Sequence, residues 1–508
     1  MSLPLTNNAA NNIERTGIQD RSLRLARLIA DQLADRQQAN GAFPQHSFYA
    51  PAFAAALWAQ LDPSHYAAKI ETALTALETE HQDRRYHREF IEYALWQIPG
   101  LNRARRTAIL RDAPTQSPDV ANWQMLGLIN GQLSQKHGAG KSRRFMNWLR
   151  WTFIRQHYWL APLFWDRPSC FSGQYHAFCA ALLTDSPKTA HQKIAAQATA
   201  LIADLCDDHG YPNLLGRGAG QSFGAVCALY ALAQHGFHHA ADAILFRLET
   251  AMLTTGTLPL NLFAQNPLPD NPGPANPATP GWYGYNRHDD YLAFAGYWLL
   301  QVATSTTEPK PQPSLPNLIT SPISIFSGPA YQAQMCPLGK RSFDITPCPV
   351  VLSGTGTNAT LLFAPTGGEE DANSLYGPSS VPLPASIDGT QFAHIRRAFK
   401  LFDTVEIAFK LARVSGTRAI TFNDHEITIT DEVATKCDLL RLLLHVDVKL
   451  IQATPNQLNA PELGITFRAD HDLIVSDPTN FTAAGPARMI TAPNANRVTL
   501  RICWGNCP

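Results

Sequence analysis

The chain has 508 residues, too many for one core, so at least two domains are expected. A composition of 45% hydrophobic and 16% charged residues describes a globular protein, and a formal net charge of zero argues against nucleic acid as a main partner. No apolar run reaches the length of a membrane span; Leu442-Leu-Leu-His445 is far too short.

The first residues, Met1-Ser-Leu-Pro-Leu-Thr-Asn-Asn8, lack a basic stretch followed by an apolar one. The expectation is a cytoplasmic protein, or a periplasmic or secreted one whose leader has been trimmed. From about residue 20 to 303 the pattern is helical, starting with Leu23, Leu25, Leu28, Ile29 and Leu33 at helix spacing. Six helix openings stand out: Phe53-Ala-Ala-Ala-Leu-Trp58, Glu89-Phe-Ile-Glu-Tyr-Ala-Leu-Trp96, Asn122-Trp-Gln-Met-Leu-Gly127, Tyr175-His-Ala-Phe-Cys-Ala-Ala-Leu182, Ser222-Phe-Gly-Ala-Val-Cys-Ala-Leu-Tyr230 and Asp290-Tyr-Leu-Ala-Phe-Ala-Gly-Tyr-Trp298. They recur roughly every 35 to 70 residues, which suits one outer and one inner helix per unit. Small residues that are apolar all round are what an inner helix, covered on both sides, requires. Six such helices in a ring bring their N-termini to one mouth. That mouth would hold Asn122, Gln174, Tyr175, His176, Arg217, Tyr285, Arg287, His288, Asp289 and Asp290.

Four clusters near the mouth can carry chemistry. Phe171-Ser-Gly-Gln-Tyr-His-Ala-Phe178 places two proton-transfer groups at a helix start, where developing negative charge is favoured; a capping serine with a packed Tyr-His pair is the structural alternative. Gly216-Arg-Gly218 can hold a carboxylate bidentately while the backbone approaches closely, or it is a glycine turn with a surface arginine. Trp282-Tyr-Gly-Tyr-Asn-Arg-His-Asp-Asp-Tyr291 offers aromatic faces and hydrogen-bonding edges that suit sugar rings, with Asp289 or Asp290 also able to cap a helix. Asn122-Trp123 adds an amide at another opening. Separately, Lys141 to Trp159 interleaves basic and aromatic residues, as an amphipathic outer helix or a surface for an anionic polymer.

The stretch Gln265 to Pro280 is too rich in proline for helix and leads into the third cluster, as a cleft wall or lid would. Residues 304–322 read as a Pro-rich linker. Beyond them, Thr360-Leu-Leu-Phe363, Thr404 to Phe409, Arg418 to Phe422, Glu426 to Thr430, Val446 to Ile451, Leu473 to Val475 and Arg497 to Ile502 alternate as short antiparallel strands. The expected division is therefore 1–303 helical, 304–322 linker and 323–508 β-sandwich.

The histidines form no zinc pattern, and no phosphate loop, dinucleotide fingerprint or nucleophile elbow is present. No cofactor and no catalytic metal are expected; a structural divalent ion in the β domain stays open. Of the nine cysteines, Cys170, Cys179, Cys206 and Cys227 read as buried thiols, whereas Cys336 with Cys348 and Cys503 with Cys507 would pair only on export.

An Ala-rich (α/α)6-type toroid, a Pro-rich linker and an antiparallel β-sandwich resemble the toroid-type polysaccharide lyases: heparinase II/III-like, alginate and chondroitin AC-type enzymes. In motifs the resemblance is confined to Asn122-Trp123, Gln174-Tyr175-His176, Gly216-Arg-Gly218 and Tyr283 to Tyr291. It implies β-elimination at a uronic acid, glucuronate first among candidates, within an anionic polysaccharide or oligosaccharide. Arg217 and Asn122 would neutralise the carboxylate, His176 or His288 would be the base, and Tyr175 or Tyr285 the acid. A neighbouring Arg217 or Arg287 would favour an ionised tyrosine. Gln174, Trp282, Tyr283, Asn286, Arg287 and Asp290 would bind the substrate. Two other readings use the same residues differently. One is a glycoside hydrolase working with paired carboxylates among Asp207, Asp208, Asp289, Asp290, Glu89 and Glu92. The other is a non-catalytic glycan-binding protein.

Overall fold

The computed structural model describes residues 7–44, 47–79, 87–111, 120–136, 141–167, 170–206, 208–264, 286–305, 323–336, 348–364 and 382–505. Twelve helices among these residues occupy the N-terminal part: α1 (Asn7–Arg36), α2 (Ala50–Leu61), α3 (Ala67–Thr79), α4 (Arg88–Trp96), α5 (Arg103–Leu110), α6 (Ala121–Lys136), α7 (Lys141–His157), α8 (Gly173–Thr184), α9 (Thr189–Cys206), α10 (Ser222–Gln234), α11 (His238–Thr255) and α12 (His288–Thr304). The even-numbered helices touch in the order α2, α4, α6, α8, α10, α12 and back to α2, which closes a ring. Outer helices pack behind them, α3 on α2, α7 on α6, α9 on α8, α11 on α10, and α1 across α12. The six Ala-rich openings are the six inner helices. In α8 and α10 every residue is buried, because each inner helix has neighbours on both flanks and at its back.

The ring axis is filled by aromatics, one from each of several inner helices. Phe53 lies 5.1 Å from Phe294, Phe90 lies 5.6 Å from Phe178, and Phe223 stacks on Phe294 at 3.9 Å between centroids. Below them Tyr93, Tyr297 and Trp298 form a second layer. This plug fills the ring axis behind the cavity at its N-terminal end.

Three short strands interrupt the helical part, where the sequence pattern predicts helix throughout. β1 (Trp159–Leu160), β2 (Leu163–Arg167) and β3 (Cys170–Phe171) form a small antiparallel sheet between α7 and α8. The preceding helix α7 also departs from expectation. Asn147 and Ile154 face inward, while Phe145, Met146, Trp148, Leu149 and Phe153 are exposed.

The C-terminal part is antiparallel. Strands β4 (Ser324–Ser327), β5 (Tyr331–Met335), β6 (Val350–Ser353), β7 (Thr360–Phe363), β8 (His394–Leu401), β9 (Thr404–Leu411), β10 (Val414–Asn423), β11 (Glu426–His445), β12 (Ile451–Thr454), β13 (Gln457–Ala460), β14 (Ile465–Ala469), β15 (Ile474–Val475), β16 (Asn480–Thr482) and β17 (Gly485–Trp504) hydrogen-bond as one continuous sheet. The two long strands β11 and β17 pair along most of their length with register shifts between Glu432 and Leu442. There the sheet folds over on itself as a sandwich. Strands that are not ladder neighbours then meet face to face: Tyr331 stacks on Trp504 at 4.2 Å, and Phe363 meets Phe467 at 6.3 Å. Residues 446–450, expected as strand, form a turn that leads into β12.

Between the layers, Arg418 and Asp431 form a fully buried bidentate pair with both oxygen contacts at 2.7 Å. The helical and β parts share a core: Val350, Leu352 and Leu361 belong to the same apolar cluster as the outer helices α9 and α11. Gln334 donates to the Leu205 carbonyl and Asn261 to the Ala483 carbonyl across this boundary. Of the expected linker 304–322, Thr304 still belongs to α12 and Ser305 follows it, while residues 306–322 and the Pro-rich stretch 265–280 lie outside the described residues. Cys336 and Cys348 are buried and not disulfide-bonded to each other, and Cys503 is disulfide-bonded to a partner outside the described residues.

Candidate active site

A cavity of about 490 Å³ sits at the N-terminal end of the ring. Every inner helix contributes to its lining from its first turn or the residues just before it: Phe48 and Tyr49 for α2, His87 and Phe90 for α4, Asn122 and Trp123 for α6, Gln174 and Tyr175 for α8, Phe223 for α10, and Asp290 and Tyr291 for α12. Arg167 from β2 and Arg217 from the loop before α10 complete it. Helix N-termini carry partial positive charge, so six of them around one hollow favour an anion there.

Local sequence explains how each group is held. Ser172 caps α8 by accepting from the Tyr175 N–H, and its hydroxyl donates to the Arg217 carbonyl at 2.6 Å. Gly216 and Gly218 both have positive φ, 75° and 77°. A Cβ on Gly216 would lie 2.1 Å from the Phe171 carbonyl oxygen, and one on Gly218 would collide with the Gln174 side chain at 2.6 Å. Only glycine permits this loop to press against α8. It lays the Arg217 guanidinium over the Tyr175 ring, 4.8 Å from its centroid. The same guanidinium pairs with the buried carboxylate of Asp166, which the small β-sheet supplies.

Aromatic rings form the walls. The His87 ring stacks on Phe48 at 4.3 Å and lies 5.6 Å from Trp123, and Tyr49 stacks on Phe90 at 5.0 Å. Among these walls sit polar atoms that are buried and have no hydrogen-bond partner among the described residues: Asn122 Oδ1, both amide atoms of Gln174, and His87 Nδ1. Unmatched buried polar atoms are uncommon in folded proteins, and three neighbouring side chains that share this state mark a place for a ligand. Burial, helped by the charge of Arg287, holds the His87 imidazole down to about 3, so it is neutral at ordinary pH.

Asp290 is the one carboxylate in the lining, and it is occupied. It accepts from the N–H groups of Phe48, Tyr49 and Ala50 at 2.9, 2.8 and 2.6 Å, tying α12 to the start of α2. Burial pushes it up to about 7 against those three donors.

The residues expected at the mouth separate into three groups. Asn122, Gln174, Tyr175, Arg217 and Asp290 line the cavity together. His176, His288, Asn286, Arg287 and Asp289 do not. His176 is turned toward α9, where Nδ1 accepts from the Phe164 N–H and Nε2 donates to the Ala198 carbonyl, both at 3.0 Å. Both ring nitrogens are therefore committed to the backbone, and burial lowers the imidazole to about 4. His288 is likewise buried, bonded through Nε2 to the Leu258 carbonyl at 2.9 Å and lowered by burial. Asn286 accepts from the Tyr291 hydroxyl at 2.9 Å, Arg287 donates to the Asn286 carbonyl, and Asp289 is fully buried against Arg36. Trp282, Tyr283 and Tyr285 lie outside the described residues. Three charged or titratable lining residues were not expected there, Tyr49, His87 and Arg167. His87 directly precedes one of the six openings and could have been found by starting that opening two residues earlier. Arg167 depends on a short strand that helical periodicity hides.

No family model matches the chain, and no curated protein matches it either. Solved structures do. A chondroitin AC lyase from Streptomyces coelicolor A3 in complex with chondroitin sulphate is 10% identical, with 98% of this chain and 83% of that chain covered at a TM-score of 0.47. A chondroitinase AC lyase studied with oligosaccharides is 10% identical, with 97% and 84% covered at 0.49. A Paenibacillus xanthan lyase is 9% identical, with 98% and 60% covered at 0.42. At such values no residue role passes from those proteins to this chain.

Proposed function

We propose that this chain is a polysaccharide lyase that cleaves a uronic-acid-containing polymer, glucuronate-bearing chains first, by β-elimination. The observation that carries the reading is the make-up of the cavity. Two arginines, two unmatched amides, a tyrosine under a guanidinium and a neutral histidine converge there, and the single carboxylate is already consumed by three N–H groups.

Elimination needs three things. The substrate carboxylate must be neutralised so that the C5 proton becomes acidic. Arg217, with the amides of Asn122 and Gln174 and the converging helix N-termini, suits that task. A base must take the C5 proton, and the electrons of the C5–H bond form the C4–C5 double bond. The C4–O4 bond then breaks, and O4 receives a proton. Tyr175 and His87 are the proton-transfer groups available for these steps. The guanidinium over the Tyr175 ring lowers the energy of negative charge developing beside it, and His87 enters the reaction neutral. His87 takes the place that the sequence pattern assigns to His176 or His288. The aromatic walls give the sugar rings apolar faces to lie on.

A hydrolase would need two carboxylates flanking the bond with room for water or a covalent sugar between them. The other carboxylates considered for that role are engaged: Asp289 pairs with Arg36, Asp208 accepts from the Gly356 N–H, and Glu92 pairs with Arg88. Glu89 is buried and pushed up to about 7, and Asp207 lies outside the described residues.

The test is ultraviolet absorbance during incubation with glucuronans, rhamnose-capped glucuronate side chains, alginates and glycosaminoglycans. A rise from the C4–C5 double bond is expected on one of them and absent in a Tyr175→Phe variant. New reducing ends without that absorbance would overturn elimination and return the bond cleavage to water.

A further inference from the structure

Arg88 follows His87 in the chain but faces the other way. On that outer side, a second cavity of about 500 Å³ lies between α4, α5, the end of α6 and the start of α7. Arg88, Arg103, Arg106, Arg111 and Arg143 all line it, and Glu92 is the only acidic residue that does among the described residues. Counted over those residues, five guanidinium groups against one carboxylate leave a formal charge of 5 − 1 = +4 in one hollow, in a chain whose net charge is zero.

Glu92 serves two of the five, Arg88 at 2.8 Å and Arg143 at 3.6 Å. Arg103, Arg106 and Arg111 have no ion pair among the described residues. Arg106 is the informative one. It is only 9% exposed, yet its guanidinium is laid flat on Trp96 at 3.8 Å from the ring. Nη2 donates to the Leu101 carbonyl, and Nε is buried without a hydrogen-bond partner. Arg88 Nε is in the same state. Burying a guanidinium with an unmet donor and no carboxylate is costly unless an acceptor arrives from outside the chain. A planar fork fixed by stacking is suited to receive an oxyanion bidentately.

We propose that this hollow is a second anion-binding site, separate from the ring cavity, that takes an oxyanion group: a carboxylate or sulfate carried on an acidic glycan, or a free inorganic oxyanion. The site stands on its own residues and does not require the elimination reaction.

Calorimetric titration of the full chain with sodium sulfate, with a size-defined oligoglucuronate and with a neutral maltooligosaccharide tests it. Binding of sulfate, of the oligoglucuronate or of both is expected, weakened by added sodium chloride, with none for the neutral sugar. A response to the oligoglucuronate alone that persists in Arg217→Ala and is weakened by the outer variants identifies the glycan as the source of the anion, and a response to sulfate weakened by the same variants identifies a general oxyanion site. Arg106→Gln should weaken binding by about tenfold or more. The Arg103→Ala/Arg111→Ala variant, at exposed positions that leave the packing intact, should weaken it in the same direction. Arg217→Ala, in the ring cavity, should still bind with one equivalent at this site. No anion binding at low salt, or binding that survives both outer variants and disappears with Arg217→Ala, would overturn the proposal while leaving the lyase reading untouched.

Discussion

Two regions bury polar groups in opposite ways. In the β-sandwich, Arg418 and Asp431 are fully buried, and their bonds are made within the chain. The guanidinium serves both carboxylate oxygens and the carbonyls of Pro382 and Leu440, and the carboxylate also accepts from the Leu440 N–H. In the ring cavity, Asn122, Gln174 and His87 keep buried atoms with no partner. The first arrangement is self-sufficient and holds β10 against β11. The second is incomplete by itself and carries a standing cost that a ligand would remove. Burial of polar groups alone therefore does not distinguish scaffold from site, and single open atoms such as Trp298 Nε1 and Asp289 Oδ2 occur in the scaffold as well; what sets the cavity apart is that several converge on one hollow.

The largest effect that would break this contrast is on turnover. Tyr175→Phe keeps the ring under Arg217 and removes only the hydroxyl, so steady-state assays on the substrate found by absorbance should show a loss of about 10²–10⁴-fold with little change in melting temperature. Equal losses of stability and activity would place Tyr175 with the scaffold instead. Next, Asp431→Asn leaves a buried guanidinium uncompensated and should cost about 3–5 kcal/mol in denaturant unfolding, with turnover per folded molecule intact. A smaller effect is expected for Gln174→Ala. Its amide bonds nothing in the free chain, so stability should hold within about 0.5 kcal/mol while KM rises; marked destabilisation would show that the amide has a structural task.

The smallest effect is a pH dependence. His87 and His209 are held to about 3, and His176 and His191 to about 4, mainly by burial. The folded chain keeps these rings neutral, whereas the unfolded chain protonates them below about 6.5. The unfolded state thus binds more protons between those values, and stability falls as pH drops below about 6.5 toward 4. His176→Asn should flatten that slope without shifting the pH profile of turnover, because its ring faces α9. His87→Asn should change the turnover profile.

The ring was legible because inner helices need small residues on every face, and runs such as Phe53-Ala-Ala-Ala-Leu-Trp58 have few other uses. The mouth was legible in part. Tyr175 and His176 are consecutive, and on a helix consecutive residues point about 100° apart. One of them must face away, and sequence alone does not say which. His288 was misdirected by the same rule. Arg217 could be anticipated from its flanking glycines, whereas Arg167 could not, since a two-residue and a five-residue strand leave no periodicity to read. In the β part, alternation located β7, β9, β10, β11, β15 and β17, six of the fourteen described strands, but not the others or the fold-over at the β11 and β17 register shifts, which depends on pairing between distant segments.

The residues that line the ring cavity sit at the first turns of the inner helices, whose later turns are mostly packed in the core. Each wall of the cavity is thus carried on a separate short cassette, one per inner helix, with its own one or two side chains. Specificity in such a molecule can drift one wall at a time. A combinatorial library confined to positions 48, 87, 122, 174, 223 and 291 would resample what the cavity binds while leaving nearly all of the interior unchanged.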